Sequence, residues 1–216
     1  MRNQNMRIYM FYDRVDAAEK LVKQLDNYKN LPDVVVLAMP RGGVVTGKIV
    51  ADKLHVPLDI IITRKITAPG NQEYAIGAVA ESGDPVLNDE VIGTMGITPD
   101  YLDKEIANER EEIDRRLNLY RGNNKSLDLK DKIVILVDDG IATGLTVQAA
   151  IEYLKTSNAK KIIIAVPVIP EDTVKQLKNK VDDLIYLDAP EQFFAVGQFY
   201  DQFEQVSDDA VVELLR

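Results

Sequence analysis

Two adjacent carboxylates, Asp138 and Asp139, lie between an apolar run and a loop of small residues. The run Ile133–Val137 is typical of a strand buried on both faces of a parallel sheet. The sequence Thr-Gly-Leu-Thr at 143–146 precedes a helix predicted from Val147, so it offers hydroxyls, backbone N–H groups and the positive end of a helix dipole. That loop suits a phosphate monoester, whereas the carboxylates suit hydroxyl groups. We therefore predict a site for a sugar with cis-hydroxyls and a 5′-phosphate.

A second candidate loop, Pro40-Arg41-Gly42-Gly43, joins a strand predicted over 33–39 to a helix predicted over 44–54. Glycines allow backbone amides to approach an anion closely, and Arg41 adds positive charge. This loop therefore indicates a second anion site. A tight turn with an exposed arginine is the alternative interpretation.

The same region permits a rival hypothesis, because residues 42–48 match the first seven positions of a P-loop, Gly-x-x-x-x-Gly-Lys. The eighth position is Ile49, which cannot supply the hydroxyl that would hold Mg²⁺. A P-loop nucleoside-triphosphatase would also leave residues 143–146 without a role.

Two basic residues, Arg64 and Lys65, follow a strand predicted over 58–63. A flexible loop is predicted over 66–74, and a short strand over 75–81. Cations at a strand end beside a flexible loop are suited to clamp a diphosphate. Solvated cations beside a turn are the alternative.

Predicted strands alternate with predicted helices, which favours a parallel α/β sheet with right-handed crossovers. Further strands are predicted over 161–168 and 184–187, and further helices over 13–30, 99–121, 171–180 and after Ser207. Ligands in such sheets bind at the carboxyl ends of the strands. We therefore expect the three candidate loops to converge on one edge of the sheet.

The long helix begins with Thr98 as its cap and Pro99 at its first position. Its many charges indicate a solvated face. Arg115, Arg116 and Arg121 could alternatively reach the anionic site or a subunit partner, so a homo-oligomer is an open expectation.

Composition excludes several classes of protein. The net charge of −9 disfavours non-specific binding to nucleic acid. The sequence has no apolar run long enough to cross a membrane and no signal-peptide pattern, so we expect a cytoplasmic protein without a membrane partner. There is no cysteine for disulfide or thiol chemistry, and the single histidine, His55, lacks the partners of a triad or a histidine metal site. We expect His55 in a loop.

The run from Ile133 to Thr146 resembles the phosphoribosyl-pyrophosphate (PRPP) signature of the type I phosphoribosyltransferases: an apolar strand, two acidic residues and Thr-Gly-x-Thr. The resemblance covers roughly residues 34–197 and implies a type I phosphoribosyltransferase fold. That fold is an α/β domain, here 1–216, in which helices flank a parallel sheet and a small C-terminal hood covers about 188–206. Residues 69–79 also resemble uncharacterised predicted phosphoribosyltransferases, which share the pattern Pro-Gly-Asn-x-Glu-x-Ala-Ile-Gly-Ala-Val.

The resemblance also implies roles for the candidate residues. Asp138 and Asp139 would hold the ribose hydroxyls, and Gly140 would also bind the substrate. The 5′-phosphate would be bound by the loop of Ala142, Thr143, Gly144, Leu145 and Thr146. Pyrophosphate would be bound by Pro40, Arg41, Gly42 and Gly43, and a mobile loop carrying Arg64, Lys65 and Glu73 would close over PRPP. Arg41, Lys65 and Mg²⁺ would stabilise the leaving diphosphate, and the metal would travel with PRPP without dedicated protein ligands.

An aromatic segment over residues 188–200 could cover a flat acceptor. Phe193 and Phe194 lie in its part that distantly resembles the hood of hypoxanthine-guanine phosphoribosyltransferases. Packing of the C-terminal segment is the alternative. Ala142 stands where purine-salvage enzymes carry an aspartate, and the lysine expected near 165–169 is absent, so the acceptor is open. The implied reaction is displacement of pyrophosphate from PRPP by a nitrogen nucleophile; a non-catalytic PRPP or nucleotide sensor is the alternative.

Overall fold

The computed structural model describes residues 10–122 and 124–216. In chain order its helices and strands are α1 (Arg14–Val22), β1 (Val34–Ala38), α2 (Gly42–Leu54), β2 (Leu58–Ile60), β3 (Thr63–Ala68), β4 (Asn71–Ala80), β5 (Val86–Leu87), α3 (Asp89–Met95), α4 (Pro99–Arg121), β6 (Ile133–Val137), α5 (Leu145–Thr156), β7 (Lys161–Val168), α6 (Glu171–Leu177), β8 (Asp183–Asp188) and α7 (Asp208–Leu214). Short 3₁₀ turns occur at Asp26–Tyr28 and Val196–Phe199.

Five parallel strands form the central sheet in the order β2-β1-β6-β7-β8. β1 and β6 are neighbours, and their last residues, Ala38 and Val137, are paired. The loops that follow these two strands therefore leave the sheet side by side at its carboxyl edge. The predicted α/β fold with helices flanking a parallel sheet is confirmed.

Helices cover both faces of the sheet, which explains why all five residues of β1 and of β6 are buried. On one face α5 packs against residues such as Val35, Leu37 and Leu136. On the other face α1 and α2 pack against the alternate residues, among them Val36 and Ile135. Because neither face meets water, these strands read as continuous apolar runs without polar alternation.

A second, antiparallel sheet, β3-β4-β5, packs against α4 through Ile66, Ile76 and Ile113. The predicted flexible loop over 66–74 is wrong, because most of this segment belongs to the β3–β4 hairpin. The predicted strand over 58–63 is two strands, since β2 ends at Ile60 and β3 begins at Thr63. Arg64 and Lys65 consequently lie within β3, where they pair with Val79 and Ala78.

Several helix boundaries differ from the predicted ones. The helix predicted over 13–30 ends at Val22 and is followed by a separate 3₁₀ turn, and α3 was not predicted. α4 begins as predicted, with the Thr98 hydroxyl accepting a hydrogen bond from the N–H of Tyr101 at 3.4 Å. His55 ends α2 in the left-handed conformation, so its predicted position in a loop is confirmed.

Arg121 joins α4 to the central sheet. Its guanidinium donates to Asp59 at 3.0 Å, to Glu81 at 3.2 Å and to the carbonyl of Ile60 at 2.7 Å. All three charged side chains are at most 14% exposed. Arg121 is therefore part of an internal ionic network and does not reach the candidate site.

Within residues 10–122 and 124–216, none of the helices has both the length and the apolar character that crossing a bilayer requires.

Candidate functional site

The loop after β1 lies directly against the acidic pair that follows β6. A Cβ atom on Gly42 would stand 1.9 Å from Oδ2 of Asp139, and one on Gly43 would stand 2.7 Å from Oδ1 of Asp138. Glycine is required at both positions because any side chain would push the two loops apart. The structure thus brings together two of the groups that the sequence predicted separately.

The two carboxylates have different environments. Oδ1 of Asp138 accepts a hydrogen bond from the backbone N–H of Asp139 at 2.8 Å. Oδ2 of Asp139 accepts one from Nε of Arg14 at 2.6 Å, and its backbone carbonyl accepts one from the hydroxyl of Tyr200. Burial, and then repulsion from Asp139, raise the pKa of Asp138 well above its usual value. Burial and the nearby Asp139 charge also raise the pKa of Tyr200.

Arg14 is a residue that the sequence interpretation missed. It lies in the first turn of α1, yet its side chain is only 11% exposed and contacts an aspartate 125 residues away. No local spacing predicts such a contact.

The candidate phosphate loop is fixed by α6. The carbonyl of Ala142 accepts a hydrogen bond from the Thr173 hydroxyl at 2.8 Å. Gly144 caps α5 with a φ of +75°, and a Cβ atom there would stand 2.9 Å from Cγ2 of Thr173. Thr143 is exposed, and Leu145 begins α5. The loop therefore presents its backbone and hydroxyls in front of the N-terminus of a 12-residue helix, as an anion site requires.

A cavity of about 820 Å³ opens between the β3–β4 hairpin, α4 and the two loops. Four predicted site residues line it: Pro40, Arg64, Lys65 and Thr146. Lys65 is exposed to the cavity, whereas Nε of Arg64 is paired with Oε2 of Glu109 on α4 at 2.6 Å. The predicted mobile-loop residue Glu73 also lines the cavity. The cavity therefore extends from the candidate phosphate loop to the cations proposed to hold a diphosphate.

Three predicted site residues lie elsewhere in this arrangement. Nη1 of Arg41 is 3.7 Å from Oδ1 of Asp208 on α7. Phe193 packs on Phe199, with 5.2 Å between the ring centroids, and Phe194 is 88% exposed. The contact of Phe193 fits the packing interpretation of the aromatic segment. A role of any of these three in binding stays a prediction.

Gly140 links the acidic pair to the C-terminal segment. A Cβ atom on Gly140 would stand 2.5 Å from Cγ1 of Val196 and 2.9 Å from Cγ1 of Val168. Val196, within the segment 188–206, thus packs closely on the loop that follows β6.

The P-loop hypothesis does not fit the structure. Residues 42–48 are the start of α2 and do not form a separate phosphate-binding loop. Nζ of Lys48 is 3.2 Å from Oδ1 of Asp52 on the same helix. The lysine that would bind a triphosphate is therefore engaged away from the site.

Comparisons with known proteins agree with this geometry. The family model described as phosphoribosyl transferase domain matches residues 8–204. A Mycobacterium tuberculosis protein provisionally named a phosphoribosyl transferase is 39% identical over 206 residues, which are 95% of this chain and 46% of that protein. The chain thus spans about half the length of the curated relatives it matches.

Solved structures show the same fold. TT1426 of Thermus thermophilus superposes with a TM-score of 0.79 at 37% identity, covering 95% of this chain and 97% of that one. The AQ2163 protein of Aquifex aeolicus, at 12% identity, has a TM-score of 0.53 and covers 85% and 78%. The fold, the contact between the two loops and the family match lead to one conclusion: the chain belongs to the phosphoribosyl transferase domain family.

Proposed function

We propose that the chain transfers a 5-phosphoribosyl group from PRPP to a nitrogenous acceptor. The observation that carries this proposal is the contact of Gly42 and Gly43 with the acidic pair. Ribose hydroxyls bound at Asp138 and Asp139 would lie next to the loop amides proposed for pyrophosphate. One PRPP molecule would thereby contact both loops through adjacent groups.

In the proposed reaction a bond forms between the acceptor nitrogen and C1 of the ribose while the bond from C1 to the diphosphate oxygen breaks. The ribose gathers positive charge, and the leaving diphosphate takes the bonding electrons. The chain holds the ribose through its hydroxyls and 5′-phosphate, and loop amides and Lys65 stabilise the charge that develops on the diphosphate. The acceptor nitrogen releases its proton to solvent.

Magnesium is part of the proposal through the substrate. Among the residues that the structure describes, no group of three or more His, Cys, Asp or Glu side chains could hold a metal ion. We propose that Mg²⁺ would arrive with PRPP, held mainly by PRPP oxygens, and would offset the negative charge of the diphosphate.

We further propose that residues 1–216 act as one domain and that 188–206 form a hood over the acceptor. The packing of Val196 on Gly140 supports a covering role for this segment. The acceptor itself is left open, since Ala142 stands at the position where purine-salvage enzymes carry an aspartate.

The experiment that tests the proposal has two stages. Calorimetry with PRPP and Mg²⁺ first tests binding, and a pyrophosphate-release screen across purine, pyrimidine and other nitrogenous acceptors then tests transfer. We expect binding, followed by release with one class of acceptor. PRPP binding without release on any acceptor would favour a sensor, and no PRPP binding would contradict both functions.

A further inference from the structure

An arginine outside the predicted site, Arg14, contacts the acidic pair with a side chain that is only 11% exposed. We propose that Arg14 is a positioning residue, which holds the Asp139 carboxylate in the orientation that receives the ribose hydroxyls. This inference rests on the proposed function of Asp138 and Asp139. It adds a residue to the site that neither the motif nor the loops contain.

The geometry around Arg14 fixes its guanidinium on three sides. Nε lies 2.6 Å from Oδ2 of Asp139, and Nη1 donates to the carbonyl of Glu204 at 2.8 Å. The guanidinium also stacks on the ring of Phe203, with Cζ 3.8 Å from the ring centroid. A planar guanidinium that stacks on a ring and donates two hydrogen bonds has little freedom to rotate. The carboxylate oxygen that it binds is therefore held in one place.

Asp139 needs such a partner because its surroundings are crowded and negatively charged. Its Oδ2 lies in the space that a side chain at residue 42 would fill, and its neighbour is a second carboxylate, Asp138. Without Arg14 the two carboxylates would repel each other with little solvent to screen them. The side chain of Asp139 would then rotate away or one carboxylate would take up a proton, and either change weakens hydroxyl binding.

Arg14 also connects the site to the C-terminal segment. Arg14 stacks on Phe203. Cδ1 of Phe203 in turn lies 2.9 Å from the position that a Cβ atom on Gly197 would occupy. An unbroken series of contacts therefore runs from the 3₁₀ turn at Val196–Phe199 through Phe203 and Arg14 to Asp139. Phe203 gives a second, milder way to disturb the orientation of Arg14.

The test measures two ligands by calorimetry: ribose 5-phosphate, which uses the acidic pair, and inorganic phosphate, which does not. We expect Arg14→Gln to weaken ribose 5-phosphate binding about tenfold and to leave inorganic phosphate binding unchanged. Arg14→Lys, which keeps the charge without the planar contact, should recover part of the loss. Phe203→Leu should lower ribose 5-phosphate affinity by a smaller factor. Arg110→Gln, which removes an exposed arginine bonded to the carbonyl of Gly83, is the matched control and should bind like the wild type.

Non-additivity separates a positioning role from general destabilisation. In an Asp139→Asn background, Arg14→Gln should cause no further loss of ribose 5-phosphate affinity, because its target is already altered. Unchanged or tighter binding by folded Arg14→Gln, an equal loss for both ligands, or additive losses would overturn the inference. If Arg14→Gln does not fold, wild-type binding by Phe203→Leu would overturn it. Wild-type ribose 5-phosphate affinity in Asp139→Asn alone would instead contradict the proposed function.

Discussion

Asp138 carries a charge that burial and a neighbouring carboxylate disfavour. Because the pKa of Asp138 is raised in the folded chain, the folded state binds more protons than the unfolded state at intermediate pH. The contribution of Asp138 to the free energy of unfolding therefore becomes less favourable as pH rises from its usual pKa through the raised one. The proposed role of Asp138 in binding ribose hydroxyls is therefore compatible with a cost in stability at this residue.

We expect Asp138→Asn to raise the melting temperature at pH 8 on the order of 2–4 °C while weakening ribose 5-phosphate binding. The gain should shrink as pH falls, since the wild-type carboxyl is then neutral as well. Thermal unfolding of both proteins between pH 5 and pH 8 measures this, with the exposed Asp103→Asn as control. A stability difference that grows at low pH would show that the direction is wrong.

Substitutions at Gly144 and Thr146 test the candidate phosphate loop in different ways. Valine at Gly144 would have to adopt a φ of +75° and would approach Thr173, at a strain cost of about 1–3 kcal/mol. It would also block the backbone from the phosphate. Thr146→Ala removes a single hydroxyl bond to a charged group, worth about 1.5–3 kcal/mol, and leaves the amides in place.

Ribose 5-phosphate should therefore bind more weakly to Gly144→Val than to Thr146→Ala. The control is Gly96→Val, because Gly96 has a φ of +62° and no atom within 4 Å of its added Cβ. Gly96→Val introduces the same kind of backbone strain but lies outside the candidate phosphate loop. Wild-type affinity in folded Gly144→Val would place the phosphate elsewhere.

At the scale of elements, the β3–β4 hairpin and α2 each carry a lysine that a phosphate-binding hypothesis could use. Lys65 on β3 lines the large cavity, whereas Lys48 on α2 is paired with Asp52. Lys65→Ala should weaken pyrophosphate binding about three- to tenfold, as loss of a partly solvated charge contact does. Lys48→Ala should change it less than twofold. Titration of pyrophosphate into both variants measures the two losses of affinity. A larger loss for Lys48→Ala than for Lys65→Ala would restore the P-loop hypothesis.

The same elements show what the sequence could predict. β6 and the turn before α5 were predictable because their signal is local: an apolar run, two carboxylates and a Thr-Gly-x-Thr turn before a helix. The hairpin was misassigned because the basic residues Arg64 and Lys65 look like the end of a strand. In the structure β3 continues past them, because Ile66 and Ala68 are buried in the cluster that includes α4. Arg14 could not be found from the sequence, because its contact with Asp139 exists only once α1 packs beside the sheet.

At the scale of the whole molecule, the Arg121 network joins α4 to the sheet that holds the site. Arg121 lies between Asp59 and Glu81, and burial is the first cause that raises the pKa of Glu81. Breaking such a network leaves two buried carboxylates without a cation, which costs about 3–5 kcal/mol. The Arg121 network therefore contributes to holding α4, which lines the cavity, against the central sheet.

We expect Arg121→Met to lower the melting temperature by roughly 10 °C at pH 8. The loss should be smaller at pH 5, because burial raises the pKa of Glu81 and protonation of Glu81 relieves one of the unpaired carboxylates. Thermal unfolding at the two pH values checks this, with the exposed Arg110→Met as control. A loss that is equal at both pH values would mean that packing, not charge, sets the role of Arg121.

We propose above that one PRPP molecule binds at the acidic pair and the two loops beside it. The direct measurement is a calorimetric titration of PRPP with Mg²⁺ into the wild type and into the double variant Asp138→Asn, Asp139→Asn, with inorganic phosphate as the reference ligand. We expect the double variant to fold, to bind inorganic phosphate as the wild type does and to bind PRPP at least about tenfold more weakly. Unchanged PRPP affinity in the folded double variant would contradict it.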